Sequence, residues 1–176
     1  MENIKVGVVG YGTIGKRVAD AVSLQKDMEL VGVTGHSYNY KIEIAKKKGI
    51  KIFAMDGIED FAKNGINVGG DVNKLLEQVD VVVDCTPKKI GRENKEKYYL
   101  PQKIKAIFQG GEKPDVGDAS FVAQCNYDQA LNKDYIRVVS CNTTGLCRTL
   151  YPINKKFGIE SVHATMVRRA ADPWDI

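Results

Sequence analysis

The chain has 176 residues, 43% apolar and 27% charged, which is enough for one full domain and a remainder. Its 26 basic and 22 acidic residues are scattered and leave a net charge of +4, so no run forms a nucleic-acid or membrane-surface footprint. No uncharged stretch approaches the ~20 residues of a membrane-spanning helix, and an apolar run starting at Ile4 leaves no room for an export signal, so a cytoplasmic protein is expected.

Ile4 to Val9 is a β-branched run that leads straight into Gly10-Tyr11-Gly12-Thr13-Ile14-Gly15, after which Ile14, Val18, Ala21 and Val22 recur at helical spacing. This reads as strand, glycine turn and helix, and Leu30 to Val33 closes a first βαβ unit. Further strands are predicted at Lys51 to Ala54, Val79 to Cys85, Ala106 to Gln109 and Ile136 to Ser140. Helices are predicted at Lys41 to Lys48, Gly57 to Lys63, Val72 to Gln78, Gly91 to Tyr99 and Tyr127 to Leu131. Such alternation predicts a doubly wound α/β fold, a mostly parallel Rossmann sheet covered on both faces, over residues 1–139. Beyond it, a helix from Leu146 to Phe157 should break or kink at Pro152. Glu160 to Val167 alternates with period two, which predicts a strand opening an α+β catalytic domain over residues 140–176, cut short at Ile176.

A Gly-x-Gly-x-x-Gly pattern alone is weak, but its setting here between strand and helix points to a dinucleotide. Gly10 ends the strand, Gly12 lets backbone approach a pyrophosphate, Gly15 allows close helix packing, and the amides around Thr13 and Ile14 face the negative charge. The acidic residue that usually bonds the ribose 2′-hydroxyl of NAD would fall near Val33 or Thr34 and is absent. Thr34, Gly35, His36 and Ser37 would accept a 2′-phosphate without repulsion, so NADP is expected alongside NAD, although His36 equally suits a surface loop with no ligand role. Asp84-Cys85-Thr86-Pro87 and the Gln109 to Lys113 segment lie at two more strand ends, where Gly110 and Gly111 permit close approach to the nicotinamide riboside.

The four cysteines have neither Cys-x-x-Cys spacing nor histidine partners for zinc, so no metal is expected and the thiols should be free. Cys85 and Cys125 read as small buried apolar residues, and Cys147 as structural. Cys141, in Ser140-Cys141-Asn142-Thr143-Thr144-Gly145, falls between a strand and a helix whose opening amides favour a thiolate and can receive an oxyanion. A lone cysteine there can also be merely buried. Joined to a nucleotide-binding sheet, the thiol suggests addition to an aldehyde, hydride loss to nicotinamide, and a thioester released by an acceptor.

Val6 to Arg17, Asp84 to Pro87, Phe108 to Lys113, Ser140 to Leu150 and Val167 to Pro173 together resemble, in order along the chain, the archaeal-type phosphorylating glyceraldehyde-3-phosphate dehydrogenases. The resemblance implies Cys141 as nucleophile, Ser140 and Asn142 beside a triose phosphate, and Thr13, Ile14, Gly111 and Arg169 against NAD or NADP. It further implies inorganic phosphate as acceptor, release of 1,3-bisphosphoglycerate, a place in glycolysis and gluconeogenesis, a homotetramer, and a catalytic histidine beyond Ile176. On that reading the polypeptide binds cofactor and turns over little alone. The rival readings are another thioester-forming reductase, such as one acting on aspartate semialdehyde or N-acetyl-glutamyl phosphate, and a redox-sensing nucleotide-binding module.

Overall fold

β-Branched and small residues dominate the centre of the molecule, where a seven-stranded, all-parallel sheet runs in the order β3-β2-β1-β4-β5-β7-β6. The computed structural model describes residues 2–109 and 111–167. Its strands are β1 Ile4–Val9, β2 Met28–Gly35, β3 Ile52–Ala54, β4 Val81–Asp84, β5 Lys105–Phe108, β6 Ala119–Phe121 and β7 Tyr135–Val138. The helices are α1 Thr13–Ser23, α2 Tyr40–Lys47, α3 Glu59–Lys63, α4 Val72–Leu76, α5 Ile90–Asn94, α6 Leu100–Gln102, α7 Ala123–Ala130 and α8 Cys141–Phe157. A π-helical turn, Lys95–Tyr99, joins α5 to α6.

Successive side chains of a strand point to opposite faces, and that alternation divides the core in two. Val8 packs with Ala19, Val33, Ile42 and Phe61 on one face, whereas Val9 and Val82 pack with Phe53, Leu75, Tyr99 and Phe108 on the other. Both faces being covered explains why Val81-Val82-Val83 reads as a continuous apolar run. The doubly wound expectation therefore holds, and every strand is parallel.

Three departures from the sequence reading have physical causes. β6 is a three-residue edge strand, Ala119-Ser120-Phe121, too short for a period-two pattern to stand out from chance. Helix α8 starts five residues before the predicted Leu146 and continues through Pro152, which forfeits only the amide that would bond the carbonyl of Arg148. The expected strand from Glu160 to Val167 is not one: these residues have no regular structure and are exposed. A period-two pattern makes a strand only beside a partner ladder, and among the described residues none is offered there.

Candidate functional site

Parallel strands bring their carboxyl ends to one edge of the sheet, and the loops after β1, β2, β4 and β5 enclose a cavity of about 590 Å³ at that edge. That volume lies in the usual range for a small-molecule or cofactor site. Its wall includes Gly10, Gly12, Thr13, Ile14, Thr34, His36, Lys41, Thr86 and Gln109. It contains no aspartate or glutamate among the described residues.

The glycine turn is fixed by sterics. Gly10 has φ of +90°, and a Cβ at Gly15 would sit 2.0 Å from the Gly10 carbonyl oxygen, so only glycine lets α1 close on β1. At Gly12 a Cβ would meet nothing within 4 Å, so open space lies beside its backbone in the cavity wall. Thr34 is wholly buried, and its hydroxyl accepts the Gly10 amide at 3.0 Å while its carbonyl accepts the Tyr11 amide at 3.1 Å. It thus pins the turn from beneath.

The outer wall comes from the segment after β2. Asn39 caps α2 by accepting the Lys41 and Ile42 amides, which sets Lys41 in the cavity wall. His36 lies at the mouth, its Nδ1 2.6 Å from an Asp56 carboxylate oxygen. A carboxylate thus stands behind the histidine, on the loop after β3 rather than at the end of β2.

The inner wall rests on a buried carboxylate. Asp84, 1% exposed, accepts the Thr86 amide at 3.0 Å and hydroxyl at 2.5 Å on Oδ1, and Asn94 Nδ2 at 2.9 Å and Tyr99 Oη at 2.6 Å on Oδ2. Four donors surround one charge, as a buried charge requires. The π-helical turn ends on Tyr99, and such turns cluster at functional sites. Burial, and then the Asp84 charge, raise the Tyr99 phenol well above its ordinary value. Burial first and Asp84 second also push the Cys85 thiol up to about 12, so Cys85 stays protonated and unreactive at neutral pH.

Cys141 is different. It is exposed and is the first residue of α8, at the carboxyl end of β7 and so on the same edge of the sheet as the cavity. Ser140 caps that helix: its hydroxyl accepts the Thr143 amide at 3.2 Å. The thiol lies 4.0 Å from Asn142 Oδ1. Cys125 Sγ approaches the Cys147 carbonyl at 3.6 Å, and burial raises its thiol.

The cavity therefore gathers Gly10, Gly12, Thr13, Ile14 and Thr34, with Gly15 packed behind them. Ser140, Cys141, Asn142 and Gly111 are outside its wall, Gly111 being exposed with φ of +76°. Arg169 lies outside the described residues. Sequence reasoning missed Asn39 and Lys41 in the wall, and Asn94 and Tyr99 behind it. The Asn-Tyr-Lys start of α2 is a capping signal that could have found the first pair, whereas only the folded π-helical turn brings Tyr99 to Asp84.

Comparison with known proteins gives the family and the fold. The family described as dihydrodipicolinate reductase, N-terminus, matches residues 4–108, and the glyceraldehyde 3-phosphate dehydrogenase C-terminal domain matches residues 140–176. The chain is 51% identical to a glyceraldehyde-3-phosphate dehydrogenase of Methanococcoides burtonii and 55% to one of Sulfurisphaera tokodaii, over 100% of its own length. It covers 52% and 51% of them, so it spans about half the length of the curated relatives it matches. An aspartate semialdehyde dehydrogenase with NADP from Candida albicans superposes with a TM-score of 0.60 at 16% identity, over 90% of this chain and 48% of that one. At that identity the likeness is one of fold.

Proposed function

Since the chain belongs, over residues 4–108, to the family described as dihydrodipicolinate reductase, N-terminus, and its homologues over its whole length are archaeal glyceraldehyde-3-phosphate dehydrogenases, we propose that it supplies the dinucleotide site and nucleophile of such a dehydrogenase. The full reaction is the reversible, phosphorylating oxidation of glyceraldehyde 3-phosphate to 1,3-bisphosphoglycerate in glycolysis and gluconeogenesis. Residues 1–139 form the dinucleotide-binding domain and residues 140–176 begin the catalytic one, in a homotetrameric, cytoplasmic enzyme.

The observation that carries the reading is the open backbone at Gly12, in a cavity of about 590 Å³ on the sheet edge from which Cys141 also projects. The cradle fits a dinucleotide: Gly12 and the amides of Thr13 and Ile14 take the pyrophosphate, and Lys41 and His36 stand where β2 ends. With two basic side chains and no carboxylate in the wall, NADP is accepted as well as NAD. When bound, the nicotinamide supplies a hydride acceptor.

The residues of the chain do the rest. The Cys141 sulfur adds to the aldehyde carbon to give a thiohemiacetal, and the opening amides of α8, held by the Ser140 cap, receive the oxyanion. Loss of hydride from that carbon leaves a thioester on Cys141, with Ser140 and Asn142 beside the triose. Inorganic phosphate attacks the thioester carbonyl, the sulfur leaves as thiolate, and the acyl phosphate departs. Gly111 and Arg169 contribute to cofactor contact.

Two measurements test this. Titrating the chain with NAD and NADP should give saturable binding of both, and NAD binding roughly a hundredfold tighter than NADP would remove the argument from the missing carboxylate. In a longer polypeptide carrying the rest of the catalytic domain, mass spectrometry after mixing with substrate and cofactor should find the acyl adduct on Cys141; an adduct on Cys147 alone would overturn the assignment.

A further inference from the structure

A second cavity, of about 260 Å³, opens between the loop after β4 and the loop after β5. Lys88, Lys89 and Arg92 line one side, Lys113 and Asp115 the other, and Glu112 forms part of the wall. None of these residues lines the dinucleotide cavity. The three lysines are exposed and have no ion-pair partner among the described residues, while Arg92 commits one nitrogen to Asp115 at 2.5 Å. Lys89 holds φ of +81°, a conformation that favours glycine, and so turns the chain sharply into α5.

Glu112 separates this cavity from an ordinary solvated basic surface. It is 4% exposed, yet its Oε1 has no hydrogen-bond partner among the described residues. The backbone holds it there, since Arg137 Nε donates to the Glu112 carbonyl at 2.5 Å. The absence of a side chain at Gly91 leaves the room it occupies, because a Cβ there would lie 3.3 Å from Oε1. None of the surrounding cations donates a hydrogen to this oxygen.

A ligand that completes the cavity must meet two demands at once. Its oxygens must accept from lysine and arginine, and it must present one hydrogen to a buried carboxylate oxygen. Sulfate meets only the first, because it carries no proton near neutral pH. A phosphomonoester loses its last proton at about pH 6 and fails in the same way above it. Inorganic phosphate keeps a P–O–H group throughout the neutral range and meets both. We propose that the cavity between Lys88, Arg92, Glu112 and Lys113 is a binding site for hydrogen phosphate, with Glu112 accepting its proton as the selecting contact.

The test is an amide NMR titration of the 176-residue chain near pH 8 with inorganic phosphate, sulfate and methyl phosphate in parallel. Phosphate should move the amides of Lys88 to Arg92 and Glu112 to Lys113, with sulfate and methyl phosphate binding there roughly ten- to a hundredfold more weakly, the worth of one charge-assisted hydrogen bond. Glu112→Gln, whose amide can donate to sulfate, should abolish the preference, and the exposed double variant Lys88→Ala, Lys89→Ala should weaken all three anions while retaining the fold. Equal binding of phosphate and sulfate by the unaltered chain overturns the proposal, as does an undiminished preference in Glu112→Gln or the absence of phosphate shifts at these amides. A parallel NAD titration reports on the first cavity alone, so failure of one site is not failure of the other.

Discussion

The two ends of the sheet are built to different standards. From β3 to β5 the strands are sealed on both faces, with Val8, Val33, Phe53, Val82 and Phe108 all at 1% exposure or less. From β7 to β6 no strand residue is fully buried, and α8, the longest helix among the described residues, has no buried residue at all. Tyr151, Ile153 and Phe157 of that helix face solvent. The cofactor cradle therefore rests on its own packing, whereas the proposed nucleophile stands on a helix that is only half-buried, against α7 through Cys125 and Cys147. The cavity and the proposed nucleophile thus belong to parts of unequal self-sufficiency, and substitutions should weigh very differently in the two.

The largest effect is expected at the glycine turn. In Gly15→Val the new Cβ would fall 2.0 Å from a backbone oxygen that cannot move without tearing α1 from β1. A loss of about 4 kcal/mol or more and the disappearance of NAD binding should follow, read by denaturant unfolding and calorimetric titration. A Gly15→Val chain that still bound NAD would mean that the turn can reshape, and that the first region is less rigid than its packing implies.

Next comes the Asp84 network. Asp84→Ala strips the acceptor from Thr86, Asn94 and Tyr99 together, leaving buried donors unpaired at a cost of about 3 kcal/mol. Thr86 lines the cavity, so NAD affinity should fall too, while Tyr99→Phe, which removes one bond and leaves Thr86 held, should lose roughly 1 kcal/mol and keep its affinity.

The same region should fail first in alkali. Cys85 is raised from 9.0 to about 12 on folding, and Tyr99 is raised as well. A group whose folded value lies above its unfolded one gives full stability below the unfolded value and loses it as pH climbs toward the folded one. Between pH 8 and about 10.5 the Cys85 contribution should decline by roughly 2 kcal/mol. Unfolding curves across that window should flatten in Cys85→Ala, and an unchanged slope would mean that the thiol is not the group responsible.

Legibility in the sequence followed the same division. β1, its glycine turn and α1 were readable because three independent signals coincide there: a β-branched run, fixed glycine spacing and a helical period. A doubly wound, mostly parallel sheet was legible from strand and helix alternation, and the structure makes every strand parallel. What escaped is what depends on contact across the chain, such as Tyr99 reaching Asp84 through a π-helical turn, or Asp56 standing behind His36. β6 escaped because three residues are too few for alternation to be read, and Glu160 to Val167 misled because alternation reports a face to be covered, not the presence of a cover.

The smallest effect is expected beside the proposed nucleophile. Ser140→Ala removes the side-chain oxygen that accepts the Thr143 amide, and a lost N-cap costs about 1 kcal/mol. In a sealed region that would be spread through the whole fold. Here α8 has no buried residue to anchor it, so the loss should be local. Amide exchange at Cys141 to Gly145 should rise severalfold while exchange in β1 and β4 stays constant. Iodoacetamide should label Cys141 rapidly in the unaltered chain, because it is exposed, and leave Cys85 untouched. If Ser140→Ala slowed exchange at the start of α8, or lowered the unfolding midpoint as far as Asp84→Ala, the helix would be coupled to the core after all. The contrast between a self-supporting cradle and a lightly held thiol would then have to be given up.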